Sequence, residues 1–163
     1  MGGAQMTAMS RDAQISATMQ SLRRIFKAIQ DYSQEVSSSF GITGPQLWAL
    51  KIVSQHPDLA LGELSRKMYL HPSTVTGVID RLESKGYVVR DRDLADRRVV
   101  KVKLTPAGQD LAAKAPNPIQ GKMIYGLMKL SENELNIIYE SVKRLAEIAE
   151  AENVKVTFFF DQE

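Results

Sequence analysis

The sequence predicts a mainly α-helical chain with one small β-hairpin near its middle. Apolar residues recur at helical spacing in two long segments, residues 12–40 and 131–149, which indicates helices that each have one buried face. Between them, residues 100–104 read VKVKL and alternate apolar with basic side chains. This period of two is typical of a strand with one face in water. Proline and glycine near the segment ends mark the element boundaries.

The first helix is predicted over residues 12–40. Its apolar side chains are spaced alternately by four and three residues, a pattern that Ser33 interrupts, and Gly41 marks the end. Such a stripe belongs either to a large core within one chain or to a contact with a second copy, and the residues alone leave both open. The stripe consists of Ile15, Met19, Leu22, Phe26, Ile29, Val36 and Phe40.

Two short helices separated by a tight turn are predicted in the middle of the chain. After a second helix that ends before Pro57, a short extended piece leads to a helix over residues 63–68. Residues 69–71 form the turn, and Pro72 suits the start of the next helix, over residues 73–85. The apolar face of that helix consists of Val75, Val78, Ile79 and Leu82.

The β-hairpin is predicted to have two strands. Residues 87–90 form the first, and residues 100–104 form the second, with one apolar and one basic face. The alternating charges at 90–93 are expected mainly to keep the hairpin soluble. Thr105 suits the N-cap of the following helix and Pro106 its first position.

The C-terminal third is predicted to contain two or three helical pieces. The sequence APNP at 115–118 interrupts the helix that starts after Thr105, and Asn117 is expected to cap its continuation. The sequence SENE at 131–134 is a capping box for a last helix. The Phe-rich segment 153–163 is a tail to which the sequence assigns no role.

Composition excludes several kinds of site. The chain has no cysteine, which excludes disulfides, zinc–thiolate sites and thiol redox sensing, and its two histidines are too few for a histidine-based metal site. No apolar run reaches the length of a membrane span, and the N-terminus lacks a signal-peptide core. We therefore expect a cytoplasmic protein that has no cofactor. The net charge is +2, but residues 62–105 contain ten Lys/Arg against six Asp/Glu, and this basic centre favours a polyanionic partner.

The helix-turn-helix followed by a basic hairpin suggests that this partner is duplex DNA. The second helix of such a pair presents its N-terminal side chains to the major groove. Small hydroxyl groups there can hydrogen-bond bases or phosphates. Serine and threonine at a helix start also serve as caps, so the hydroxyl residues alone do not decide the function. The candidate DNA contacts on this helix are Pro72, Ser73, Thr74, Thr76, Gly77, Arg81 and Lys85.

Residues 61–108, LGELSRKMYLHPSTVTGVIDRLESKGYVVRDRDLADRRVVKVKLTPAG, resemble the MarR family of winged-helix transcriptional regulators. The most specific part is DRRVVKVKLTPAG at 96–108, in which Asp-x-Arg precedes a strand ending Leu-Thr-x-x-Gly. The resemblance implies that Arg98 enters the minor groove, which attracts such a side chain, and that Asp96 holds the tip of the wing. It also implies phosphate contacts from Arg92, Arg97, Lys101 and Lys103.

The resemblance further implies an obligate homodimer, in which the first and the last two helices of both chains interlock. The chain then divides into a flexible N-terminal tail (1–11), a dimerisation helix (12–40), a winged helix-turn-helix DNA-binding domain (41–104), C-terminal dimerisation helices (105–152) and a tail (153–163). Members of the family often bind small aromatic effectors between these parts. The aromatic residues that could line such a site, or belong to the ordinary core, are Tyr32, Phe40, Trp48, Tyr69 and His71.

We therefore expect a sequence-specific DNA-binding transcriptional regulator, a ligand-responsive repressor that binds a pseudo-palindromic operator as a homodimer. An alternative is a winged-helix module that binds protein instead of DNA, which the basic residues of the wing disfavour. No phosphate-binding loop, nucleophile motif or paired-carboxylate motif points to an enzyme.

Overall fold

The computed structural model describes residues 9–92 and 99–154. The predicted wing-tip contacts Asp96, Arg97 and Arg98 lie outside the described residues, as do most of both predicted tails. The described part confirms a mainly helical fold with a small sheet. Its elements are α1 (Arg11–Phe40), α2 (Gly44–Gln55), β1 (Leu59–Ala60), α3 (Leu61–Met68), α4 (Pro72–Ser84), β2 (Val88–Arg92), β3 (Val100–Leu104), α5 (Pro106–Lys114), α6 (Ile119–Leu127) and α7 (Glu132–Ile148).

Side chains that bind free backbone N–H groups fix where several helices begin. At the start of α2, Thr43 and Gln46 cap each other: the Gln46 N–H donates to Thr43 Oγ1 at 3.4 Å, and the Thr43 N–H donates to Gln46 Oε1 at 3.0 Å. The predicted caps Thr105 and Ser131 are confirmed, since each accepts a hydrogen bond from the N–H three residues further on. These starts follow from local chemistry, which is why sequence patterns predict them.

The predicted cap at Asn117 is wrong. Pro118 takes the N-cap position instead: its backbone is non-helical (φ −59, ψ 134) and it makes no side-chain capping bond. The helix α6 therefore begins at Ile119, and Asn117 lies one residue too early to cap it. The interruption is instead held against α2, where Lys51 Nζ donates to the carbonyl oxygen of Ala115 at 2.7 Å. Burial lowers the pKa of Lys51. The break between α5 and α6 is therefore fastened to the helix-turn-helix part of the chain.

The hydrophobic core lies between α2, α3, α4 and the sheet. The predicted apolar face of α4 is confirmed as buried, and it packs on α2 and α3. A core of large, fully enclosed side chains holds α4 rigidly on its inner face and leaves the outer face for other contacts. The central side chains with less than 2% exposure include Leu47, Leu50, Leu64, Met68, Val75, Ile79, Leu82, Val88 and Val102.

The sheet has three strands, where the sequence predicted two. Its order is β1-β3-β2, and all pairs are antiparallel. The extra strand pairs Leu59 with Val102, whose side chain is fully buried. A two-residue strand carries too little pattern to be recognised as one in the sequence. Because β1 leads directly into α3, the sheet joins the wing to the first helix of the helix-turn-helix.

The long apolar stripes do not complete the core of the described chain. On α1 the buried side chains are Tyr32, Ser33 and Val36, whereas Ile15 is 54% exposed and Phe26 is 50% exposed. The stripe of α7 is likewise exposed. In the described ranges, no helix is both long and apolar enough to cross a membrane.

Candidate nucleic-acid interface

The N-terminal end of α4 is open to solvent. Pro72 and Ser73 are exposed, and Thr74, Thr76 and Gly77 are half-buried. Apart from its two neighbours and the adjacent backbone of α4, no described residue has an atom within 4 Å of the position that a Cβ on Gly77 would take. None of the described residues therefore covers the face that the sequence assigned to DNA, and a DNA backbone could approach it closely at Gly77.

The residue that caps α4 is His71, and not one of the hydroxyl residues. Its Nδ1 accepts the Ser73 N–H at 3.3 Å and lies 2.8 Å from Ser73 Oγ. Thr76 Oγ1 donates to the carbonyl oxygen of Pro72 at 2.9 Å. Capping therefore does not account for Ser73, Thr74 and Thr76, which lie in the first two turns, where base edges would be within reach. His71, predicted as an effector contact, has a structural role at this helix start.

The two basic residues predicted on α4, Arg81 and Lys85, are both exposed near its C-terminal end. Lys85 Nζ donates to the carbonyl oxygen of Gly41, just after α1. This bond ties the end of α4 to the end of the first helix. The phosphate contacts of Arg81 and Lys85 stay predictions.

The basic face of β3 is partly engaged within the protein. Lys103 Nζ lies 2.9 Å from Asp91 Oδ2 and 3.2 Å from Asp58 Oδ1. The hydrogen bonds that Lys103 donates to Asp91 and Asp58, together with the negative charges of the two carboxylates, raise the pKa of Lys103 above its ordinary value. Lys101 is half-buried on the same strand. Lys103 therefore links β3 to β2 and to the residue just before β1. The phosphate contact of Lys101 stays a prediction.

Sequence reasoning missed Arg90, which it counted among charges that keep the hairpin soluble. For Arg90 that expectation is wrong, because its side chain is 24% exposed and lies between two carboxylates of α4. Its guanidinium is 2.6 Å from Asp80 Oδ1 and 2.7 Å from Glu83 Oε2. The signal in the sequence is the spacing of Asp80 and Glu83, three residues apart on one face of the helix that precedes β2.

A crevice of about 380 Å³ lies between α2, the turn after α3, and α6. Of the five residues predicted for an effector site, Trp48 and Tyr69 line it. Tyr32 and Phe40 pack within or against the core, and His71 caps α4. The other lining residues are Ile52, His56, Arg66, Lys67, Gly121, Ile124 and Met128.

Comparison with known proteins identifies the family. A protein-family model described as MarR family matches residues 42–100. The uncharacterized HTH-type transcriptional regulator YsmB of Bacillus subtilis is 34% identical over 125 residues, which cover 77% of this chain and 86% of that protein. The chain belongs to the MarR family. The HTH-type transcriptional repressor MdtR of Bacillus subtilis is also similar, at 31% identity over 143 residues, or 88% of this MarR-family chain and 92% of MdtR.

Solved structures agree with this assignment. The crystal structure of a MepR like protein complexed with pseudoligands is 30% identical to this MarR-family chain, with a TM-score of 0.55, over 86% of the chain and 97% of that protein. The resemblance found in residues 61–108 is confirmed. The helix-turn-helix and the three-stranded wing are therefore those of a winged-helix transcriptional regulator.

Proposed function

We propose that this MarR-family regulator binds a pseudo-palindromic DNA operator as a homodimer and acts as a repressor. The observation that carries the proposal is the open N-terminal end of α4, with small and hydroxyl side chains at Ser73, Thr74, Thr76 and Gly77. A helix fixed on its inner face by a packed core and open at its N-terminus suits the major groove. Arg98 would enter the minor groove beside it. A regulator of chromosomal genes would work in the cytoplasm.

The exposed apolar faces of α1, α6 and α7 support the homodimer. They line a groove of about 890 Å³ that includes Ile25, Leu127, Ile138 and Val142. Exposed apolar surface of this extent indicates an interface, and two-fold symmetric dimers are the commonest soluble oligomers. In this proposal residues 12–40 and 105–152 form the dimer, and residues 41–104 bind DNA.

The crevice beside Trp48 supports a small aromatic effector. It lies between the α6 side of the proposed dimer and the helix-turn-helix, so a ligand there would contact both parts. Arg66 and Lys67 in its lining favour an anionic group on the aromatic ring. The distance between the two recognition helices of the dimer can differ between conformations. A ligand that binds one of these conformations more tightly than another would change the affinity for DNA.

DNA binding is tested by protection of the region upstream of the protein's own gene. We expect a protected palindrome whose half-sites are about one helical turn apart. Arg98→Ala should weaken binding by roughly tenfold or more, because a groove-inserted arginine is lost. Arg11→Ala removes the same charge at the exposed start of α1 and should leave binding unchanged. Equal affinities for both variants and the wild type would contradict the role of Arg98.

The dimer is tested by sedimentation of a charge variant. Ile138→Asp places a carboxylate on the apolar face of α7, where Ile138 is 40% exposed in the single chain. It should raise the proportion of monomer, because an unpaired charge would be buried in the interface. Asn136→Asp introduces the same residue on another face of α7 and should remain dimeric. A dimer of equal strength in both variants would exclude this face as the interface.

The effector is tested through Trp48, the single tryptophan of the chain. Phenolic and aromatic acids that enter the crevice should change its fluorescence and release DNA over the same concentration range. A ligand that releases DNA without changing the Trp48 signal would place the effector elsewhere.

A further inference from the structure

One arginine joins the base of the wing to the recognition helix. Arg90 lies in β2, and its Nη2 is 2.6 Å from Asp80 Oδ1 on α4. Its Nη1 donates to Glu83 Oε2 at 2.7 Å, while its backbone N–H donates to Glu83 Oε1 at 3.0 Å. Both the strand and the side chain of Arg90 are therefore held by the same carboxylate.

A third contact extends this connection towards the DNA-reading end of α4. Arg90 Nη2 donates to the carbonyl oxygen of Thr76 at 3.3 Å. Thr76, Asp80 and Glu83 follow one another along one side of the helix over about 10 Å. A planar guanidinium with several fixed donors can hold such a row, whereas the single ammonium of a lysine cannot.

The same geometry makes Arg90 unsuitable as a direct DNA contact. Its side chain is 24% exposed and its donors point at α4. Asp80 and Glu83 would otherwise present two negative charges on the helix that approaches the phosphates. Arg90 pairs with both carboxylates, balances one of their two negative charges, and fixes the direction in which β2 leaves the helix.

We propose that Arg90 is a positioning residue that sets the angle of the wing relative to α4, so that both can enter their grooves together. The proposal rests on the DNA-binding function above. Loss of Arg90 leaves the recognition helix folded on its core but frees the wing. Wing contacts are then lost while contacts of α4 in the major groove are kept.

The test is footprinting on the protected operator with a base-specific major-groove probe and a minor-groove cleavage probe. We compare the wild type with Arg90→Gln, Asp80→Asn and the double variant, and we use Lys114→Gln as a control. Lys114 forms an exposed ion pair with Asp110 on α5, so that the control also loses one ion pair and one charge. Melting temperatures measured in parallel show whether each variant is folded.

We expect Arg90→Gln and Asp80→Asn to lose the flanking minor-groove protection and to keep the central major-groove protection. Affinity should fall by roughly tenfold, within the range for residues that act on a site through others. The double variant should be little worse than either single one, because both changes break the same contact. If Arg90→Gln does not fold, Asp80→Asn still tests the contact, because the side chain of Asp80 is exposed and its replacement should leave the fold intact.

Two results would overturn the proposal. Complete protection by both single variants would show that the wing needs no such link. An even loss over both grooves in the folded variants would show that the Arg90–Asp80 link does not act on the wing selectively. If the wild type itself protects no operator, the DNA-binding proposal fails instead, so the two failures are distinguishable.

Discussion

Replacing Gly108 by alanine should destabilise the protein strongly, although the change adds a single methyl group. Gly108 is buried in the first turn of α5. An alanine Cβ there would lie 2.0 Å from the carbonyl oxygen of Tyr87 and 2.9 Å from its carbonyl carbon. Nonbonded heavy atoms attract each other at about 3.5 Å or more, so the backbone would have to move by about 1.5 Å.

The surrounding hydrogen bonds oppose that movement. The Tyr87 carbonyl accepts the Thr105 N–H at 3.0 Å, and the Tyr87 N–H donates to the carbonyl oxygen of Leu82 at 2.9 Å. Overpacking of this kind costs about 1–3 kcal/mol, and a broken hydrogen bond adds about 1 kcal/mol. We expect a loss of about 3 kcal/mol, or about 10 °C in melting temperature.

The assay is thermal unfolding followed by circular dichroism at one fixed protein concentration, since association shifts apparent stability. Gly62→Ala is the matched control: Gly62 lies exposed in α3, and no described atom is within 4 Å of its Cβ position. Its melting temperature should stay the same or rise slightly, because alanine favours helix by up to about 1 kcal/mol. Equal melting temperatures for the two variants would refute the close approach of α5 to the wing.

Three further changes test local features. Tyr32→Phe should stabilise the fold by about 1 kcal/mol, because the buried Tyr32 hydroxyl has no hydrogen-bond partner in the described chain. Burial, with a smaller effect of Glu35, raises the pKa of Tyr32 to about 12. The stability of the wild type should therefore fall from pH 10 to 12, because the tyrosine loses its proton more easily in the unfolded chain. Unfolding curves measured over this pH range should show no such fall for the phenylalanine variant. Tyr69→Gly should stabilise the fold by about 1 kcal/mol and so raise the melting temperature. The reason is that Tyr69 has left-handed backbone at φ 53, while its side chain is 69% exposed. A lower melting temperature would show that the ring contributes packing. Ser131→Ala should lower the free energy of unfolding by about 1 kcal/mol, because the cap of α7 is lost. Hydrogen bonds from Ser131 lower the pKa of Glu134, so the stability that these bonds add is lost as the pH falls. An NMR titration of the variant should show a higher pKa for Glu134.

Local patterns in the sequence predicted much of the fold because their causes are local. Thr105 and Ser131 cap helices through N–H groups three residues away, and the apolar spacing of α4 reflects its own burial. The prediction at Asn117 failed because the non-helical backbone of Pro118 delays the start of the helix by one residue, so that Asn117 does not lie at the cap position. The glycine of the Leu-Thr-x-x-Gly pattern could be noticed in the sequence, but its contact with Tyr87 could not.

The parts of the site that were missed depend on contacts between distant residues. Lys51 reaches Ala115 across 64 positions, and β1 pairs with β3 across more than 40 positions. Arg90 was within ten residues of Asp80, yet its direction depends on how β2 leaves the helix. The hairpin sequence alone does not show whether its charged residue faces water or a helix, and the signal lies in the Asp80–Glu83 spacing on α4 instead.

The ion pairs of the wing affect how measurements at different ionic strengths should be understood. Lys103 joins Asp58 and Asp91 through side chains that are 43–57% exposed, which dissolved salt screens effectively. The slope of DNA affinity against salt concentration is usually converted into a number of neutralised phosphates. Here added salt would also loosen the wing itself, so part of the slope would come from the protein. A phosphate count obtained in this way for the present regulator is therefore an upper bound.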